Sequence, residues 1–294
     1  MTSHPDPVSM TGRWVRRGVV AAFLLFGLLA GTVATAHLLS IERRAHEVRA
    51  TSLVPAGMPA KVLVVVARPE QELAMAGSLA ALQEAGTEVS MLVMTADPGA
   101  DPAADASVRT AATGAAAEPP VPDLLARAND QLGIEATGMA GFARGDLLLA
   151  DPRAVTGRIA QAIKSSQPSA VVTVSDGTGL DRDSQAVAGY ALAAAAKPGS
   201  GVGRVWTVTR GSWERDLQAL AGDSVDQQVP VPQVAVPLTG STARAKSEIA
   251  ETWLAGSAEQ TRATYPLLGT VPTSLYFRFW DREYFALAWG TPIS

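Results

Sequence analysis

The chain has 294 residues, 28 acidic against 24 basic side chains, 47% hydrophobic content and no cysteine, which excludes disulfide scaffolds, thiol catalysis and cysteine-ligated zinc. A formal net charge of -4 leaves no basic excess to neutralise a phosphate backbone, so no nucleic-acid partner is expected. All three histidines, His4, His37 and His46, lie in the first fifty residues, and whatever chemistry follows them is done without imidazole.

Residues 1–17 read as a cytoplasmic tail. Residues 18–41, GVVAAFLLFGLLAGTVATAHLLSI, carry no formally charged side chain and stand between Arg16-Arg17 and Glu42-Arg43-Arg44. At about 1.5 Å per residue the run is long enough to cross a ~30 Å hydrocarbon core, and it reads as an uncleaved single-pass membrane anchor. A signal peptide also fits, because Ala34-Thr35-Ala36 has the small-x-small form of a cleavage site after a basic flank; cleavage after Ala36 leaves a secreted domain. Arg13, Arg16 and Arg17 are matched by Arg43, Arg44 and Arg49, so charge does not set the topology. The short tail favours a cytoplasmic N-terminus, and the expected location is the cell membrane with the domain outside the cytoplasm.

Residues 42–60, with Pro55, Gly57 and Pro59, read as a linker to one domain over 61–294. Lys61-Val66 (KVLVVV) is a continuous β-branched run, as a strand buried on both faces should be. Leu73 to Ala85 carries helical apolar spacing and ends at Gly86, and Glu88-Thr95 is a second strand, completing a βαβ unit. Residues 96–122, rich in Ala, Pro, Asp and Gly, read as a mobile surface loop. A helix near 123–132, a short segment around Gly141-Leu149, a helix over 152–165 and a strand Ala170-Val174 follow. Next come a helix over 184–197, a strand Arg204-Thr209, a proline-spaced extended segment at 230–237, a helix over 243–260 and an aromatic-rich stretch from Leu275 to Leu287. The alternation predicts an α/β fold, a Rossmann-like, mostly parallel sheet with helices on both faces.

Ligands of open α/β sheets bind beyond the carboxyl ends of strands, which directs attention to the segments after Val66, Thr95 and Val174. The first continues as Ala67-Arg68-Pro69-Glu70-Gln71-Glu72, the second as Ala96-Asp97, and the third as Ser175-Asp176-Gly177-Thr178-Gly179-Leu180-Asp181-Arg182-Asp183-Ser184. With Gly77, Ala85-Gly86, Leu132-Gly133, Gly145-Asp146 and Pro168-Ser169, this order resembles the N-acetylglucosaminylphosphatidylinositol de-N-acetylase family, also called PIG-L or LmbE-like, over about residues 61 to 197. The resemblance implies zinc-assisted amide hydrolysis by A-H-P-D-D-E and G-H-P-D-H-like motifs. It aligns the first histidine with Arg68, the general-base aspartate with Glu70, the metal-binding aspartate with Gln71, and the later histidines with Asp181 and Ser184.

A guanidinium has no lone pair for a metal, an amide is a poor zinc ligand, and a serine hydroxyl is short and weakly basic. No metal and no cofactor are therefore expected, and Glu70 alone keeps a catalytic position. The expected protein is a pseudoenzyme whose crevice, lined by Arg68, Gln71, Asp97, Asp181, Asp183 and Ser184, accepts an amino sugar or glycolipid. If active, it is an amidase-type N-deacetylase; a structural or scaffolding membrane protein is the remaining alternative. Two further readings stay open: Arg68 as a fixed cation in the metal's place, paired with Glu70, Asp181 or Asp183, and a hard-cation site built from Glu70, Glu72, Asp97, Asp176, Asp181 and Asp183. No G-x-G-x-x-G follows a strand, so no nucleotide cofactor is expected. Trp206, Trp213, Trp253 and the cluster Tyr276, Phe277, Phe279, Trp280, Tyr284, Phe285 and Trp289 read as core before they read as a sugar platform.

Overall fold

The computed structural model describes residues 52–54, 60–96, 121–174, 182–209, 211, 230, 232–258, 261–262, 265 and 268–291, together with Val20, Gly27 and Gly31. Two compact units divide the chain, Met1–His46 and Glu47–Ser294. In the first, the three described residues are helical; the rest of the apolar run 18–41 lies outside the described residues. Among the described residues no helix is long and apolar enough to cross a membrane.

The second unit is built on a seven-stranded sheet: β1 (Lys61–Val66), β2 (Glu88–Ala96), β3 (Ala136–Ala143), β4 (Ala170–Val174), β5 (Arg204–Thr209), β6 (Val234–Pro237) and β7 (Arg282–Gly290), in the order β3-β2-β1-β4-β5-β7-β6. β1 to β5 run parallel, and β7 lies antiparallel between β5 and β6. Among the described residues the helices with defined bounds are α1 (Ala76–Glu84), α2 (Val121–Leu132), α3 (Pro152–Ser166), α4 (Arg182–Ala195), α5 (Ser241–Gly256) and α6 (Thr273–Phe279).

Alternation along the parallel strands sorts the core into two layers, as the pleat requires. Val62, Val64 and Val66 pack with Leu79, Leu124, Ile249, Trp253 and Phe277 on one face, while Leu63 and Val65 pack with Ile159, Ile163, Val187 and Ala191 on the other. Helices therefore cover both faces, and the order reverses between β1 and β4, so the crevice at their carboxyl ends is the switch point of the sheet.

Several expectations need correction. The helix after β1 begins only at Ala76, because Pro69–Met75 is a 3-10 segment that follows directly from the strand. The segment expected around Gly141-Leu149 begins earlier, as the edge strand β3; its small, exposed residues carry no β-branched run to announce it. Ala96 belongs to β2 and Val121 to α2, so the expected loop is shorter than 96–122, and 97–120 lie outside the described residues. Part of the expected linker belongs to the domain, since Leu53 is buried and its carbonyl accepts a hydrogen bond from Trp206 Nε1 at 3.0 Å.

Part of the aromatic stretch is core, whereas Trp289 is exposed. Tyr276, Phe277, Tyr284 and Phe285 are buried, and Tyr276 stacks on Trp280 with ring centroids 4.3 Å apart. β7 also carries Glu283, buried at 3% exposure, whose carboxylate accepts hydrogen bonds from the amides of Gly77 (3.0 Å) and Ser78 (2.6 Å) at the start of α1. It forms a buried ion pair with Lys246 of α5, which lies 5.3 Å from the centroid of the Phe277 ring. A carboxylate is thus supplied to a helix N-terminus by a strand some two hundred residues away, where Met75 gives no side-chain cap. A Cβ at Gly77 would lie 2.1 Å from Leu238 Cδ2, so a larger residue there displaces the end of the Leu238 side chain.

Removing one partner of this pair leaves the other charge buried. Glu283→Ala is expected to cost about 3–5 kcal/mol, measured by urea unfolding, whereas Glu283→Gln combined with Lys246→Met costs less because neither charge remains.

Candidate functional site

The crevice is built from the segment leaving β1. Strand pairing carries past Val66: Ala67 O accepts hydrogen bonds from both the amide (2.9 Å) and the hydroxyl (2.6 Å) of Thr95 on β2. The turn then folds onto Gln71, whose Oε1 accepts from the amides of Ala67 (2.9 Å) and Arg68 (3.1 Å). Its Nε2 donates to Ser184 Oγ in the first turn of α4. A single buried amide thus closes the turn after β1 and ties it to the helix that follows β4.

Glu70 faces Arg68 (Nη1 to Oε1, 3.2 Å) and Arg144, which reaches it from just beyond β3 (Nη2 to Oε1, 3.7 Å). Its side chain is 10% exposed, so its charge is held between two guanidiniums at the crevice wall. Asp183 is buried, and its carboxylate accepts hydrogen bonds from the amides of Gly145 (2.6 Å) and Leu147 (3.3 Å), fixing the loop between β3 and α3. Arg68, Glu70, Gln71, Asp183 and Ser184 are therefore gathered at one end of the sheet, as the chain order had suggested. Asp97, Asp176 and Asp181 lie outside the described residues, as does Trp213.

These contacts test whether the site fits the zinc that the sequence resemblance implies. At the three described positions matched to metal ligands stand Arg68, which brings positive charge and no lone pair, Gln71, whose amide is spent on two backbone N–H groups and a hydroxyl, and Ser184, which accepts from Gln71. This donor set does not fit zinc. Nor do the described acids assemble around a hard cation: Glu70 is ion-paired, Asp183 serves a loop, and no group of three potential metal-holding side chains occurs among the described residues.

Glu72 was singled out by sequence only within the acidic set, and the structure gives it a different setting. It is fully buried, Oε1 accepts a hydrogen bond from Trp253 Nε1 of α5 at 2.9 Å, and Oε2 has no hydrogen-bond partner among the described residues. Burial pushes its carboxyl from 4.5 up to about 8, the Trp253 bond opposing this and the Glu70 charge adding to it. Glu72 is then neutral at pH 7. Its role was not legible from composition, because its partner lies far along the chain; an acid inside the run Glu70-Gln71-Glu72-Leu73 was the only signal.

Two solved structures give the fold its place. One is the 4-carboxy-2-hydroxymuconate hydratase GalB of Pseudomonas putida KT2440, with a TM-score of 0.51 and 16% identity over 80% of this chain and 98% of that one. The other is a triple mutant of the deacetylase Orf2 of the teicoplanin biosynthetic pathway, with a TM-score of 0.50 and 17% identity over 78% of this chain and 98% of that one. No protein-family model matches the chain, and no curated protein matches it. At this identity the likeness shows the fold alone, a mostly parallel α/β sheet with helices on both faces. That scaffold is also the hydratase's, so the fold alone does not select a reaction.

Two outcomes are expected. Ser184→Ala leaves the Gln71 Nε2 donor buried without this acceptor and lowers stability by about 1–3 kcal/mol, read by thermal or urea unfolding. Glu72 binds its proton more tightly folded than unfolded, so its contribution to stability is full below pH 4.5 and is lost as pH rises towards about 8. Glu72→Gln, which keeps an acceptor for Trp253, flattens that decline and is more stable than the parent at pH 8, by at most about 1.4 kcal/mol for each unit of the shift.

Proposed function

We propose that this chain is a catalytically degenerate, zinc-free member of the PIG-L/LmbE-like deacetylase group, held at a membrane through residues 18–41 and serving to bind an amino sugar or glycan-bearing lipid. The observation that carries the reading is the direct Gln71–Ser184 hydrogen bond. It joins two positions that the resemblance assigns to metal ligands, and both side chains are buried and engaged.

The chain's own residues give the crevice recognition chemistry rather than hydrolytic chemistry. Hydrolysis of an unactivated amide needs a water whose pKa has been lowered and a polarised carbonyl, which a metal supplies in the active relatives. Glu70, in the general-base position, is held instead between Arg68 and Arg144. Guanidinium and carboxylate groups side by side at a strand end offer donors and acceptors of the kind that sugar hydroxyls and an acetamido group require. The carbohydrate assignment extends the family resemblance. The membrane assignment rests on the length and lack of charge of 18–41.

The test is made on the full chain in detergent, without a histidine tag. After incubation with zinc and dialysis, plasma mass spectrometry is expected to find no stoichiometric metal, and N-acetylglucosaminides release no amine. N-acetylglucosamine raises the Tm, and the rise survives a chelator and Glu70→Gln. One retained zinc per chain, with amine release abolished by Glu70→Gln, overturns the reading in favour of an active deacetylase with a rebuilt metal site. Neither metal nor sugar-dependent stabilisation leaves the scaffolding alternative.

A further inference from the structure

The loop between β3 and α3 presents two adjacent leucines to solvent. Leu149 is 84% exposed, more than any other large hydrophobic side chain among the described residues, and Leu148 is 53% exposed. A leucine at the tip of a loose loop would be unremarkable, but this loop is built. Asp183 holds the amides of Gly145 (2.6 Å) and Leu147 (3.3 Å), and Leu147 is buried in the core beside Val155 and Ile159. The amides of Leu149 and Ala150 both donate to Asp146 O at 2.9 Å. Asp151 then caps α3 by accepting from Arg153 N at 2.9 Å. The loop is pinned before, within and after the exposed pair.

The same loop is attached to the candidate site. Arg144, at its start, reaches Glu70, and Asp183, which holds its backbone, is the neighbour in sequence of Ser184. Because β3 runs parallel to β1 and β4, the loop leaves the sheet on the side where the crevice lies. The leucines therefore stand at the rim of the site, on a support that Glu70 and α4 hold in place.

We propose that Leu148 and Leu149 form a lipid-contact lip that seats the rim of the crevice on the bilayer surface. The proposal rests on the membrane tether proposed above. Only ten residues separate the end of the apolar run at Ile41 from Ser52, a reach of at most about 36 Å when fully extended. A domain so tethered meets the bilayer at high effective concentration, and a two-leucine contact too weak to bind a membrane alone becomes effective there. The charges flanking the pair are of both signs, Arg144 and Arg153 against Asp146 and Asp151, so the contact depends on apolar burial and not on anionic lipid.

The absence of cysteine makes the test direct. Leu149→Cys, with Leu148→Cys as a second reporter, is introduced into the full chain, labelled with a polarity-sensitive fluorophore and reconstituted into phosphatidylcholine vesicles. Lys164→Cys, exposed near the far end of α3, is the control. Emission at 148 and 149 is expected to shift to the blue and to be quenched by nitroxide-labelled lipid, with neither change at 164. Emission at 148 and 149 that stays as accessible to aqueous iodide as that at 164, in protein that floats with the vesicles, overturns the lip and leaves the tether standing. A blue shift without nitroxide quenching means that protein covers the leucines, a second copy or another part of this chain, and also overturns it. Protein that does not float with the vesicles removes the tether itself, and the lip with it.

Discussion

The chain leaving β1 has to satisfy a crowded set of buried polar groups within about twelve residues, partly from its own Gln71 and partly from side chains elsewhere in the fold. Gln71 closes the first turn and anchors it to Ser184. Trp253 holds Glu72 from α5, and Glu283 receives the amides of Gly77 and Ser78 from β7. Buried polar groups are expensive to leave unpaired, so these three contacts set the path of the segment between β1 and α1. They also bind the antiparallel end of the sheet and α5 to its parallel half.

Three buried acids surround this region, and each is accommodated by different physics. Asp183 accepts from two backbone amides, neutral donors that complement a carboxylate. Glu283 is met by two amides and the Lys246 ammonium, so that charge is balanced by charge in a dry setting. Glu72 has only one indole donor, too little to hold an anion in a fully buried position, and the carboxyl keeps its proton instead. Glu70 and Glu72, close together in sequence, are thus not one site: their environments separate them into a crevice-wall charge at Glu70 and a neutral buried acid at Glu72, while Asp183 anchors a loop.

The same contacts bear on chemistry. A doubly wound sheet offers a crevice wherever its strand order reverses, and here that crevice lies between β1 and β4. What the crevice does depends on the side chains delivered to it. Arg68 and Arg144 bring positive charge against Glu70, and the Gln71–Ser184 bond occupies donors and acceptors that would otherwise point into the opening. That one scaffold is shared by a solved deacetylase and a solved hydratase shows why this local arrangement, and not the fold, carries the functional argument.

The sequence by itself determined the parallel strands. β1, β4 and β5 are short β-branched runs buried on both faces, and such a pattern has few alternatives. It also located Arg68, Glu70, Gln71, Asp183 and Ser184 at strand ends, because in this fold chain order fixes which loops meet. β3 was not legible as a strand: an exposed edge of alanine, glycine, threonine and methionine lacks the burial that makes strands readable. The end of the 3-10 segment, from Leu73 to Met75, reads as part of the following helix because the two share apolar spacing over one turn. Only the tertiary structure decided that Gln71 bonds Ser184, that Trp253 meets Glu72 and that Lys246 and Glu283 pair beneath α1. Those partners are separated by tens to hundreds of residues, and hydrogen bonding and desolvation act on distance in space, which local sequence patterns do not encode.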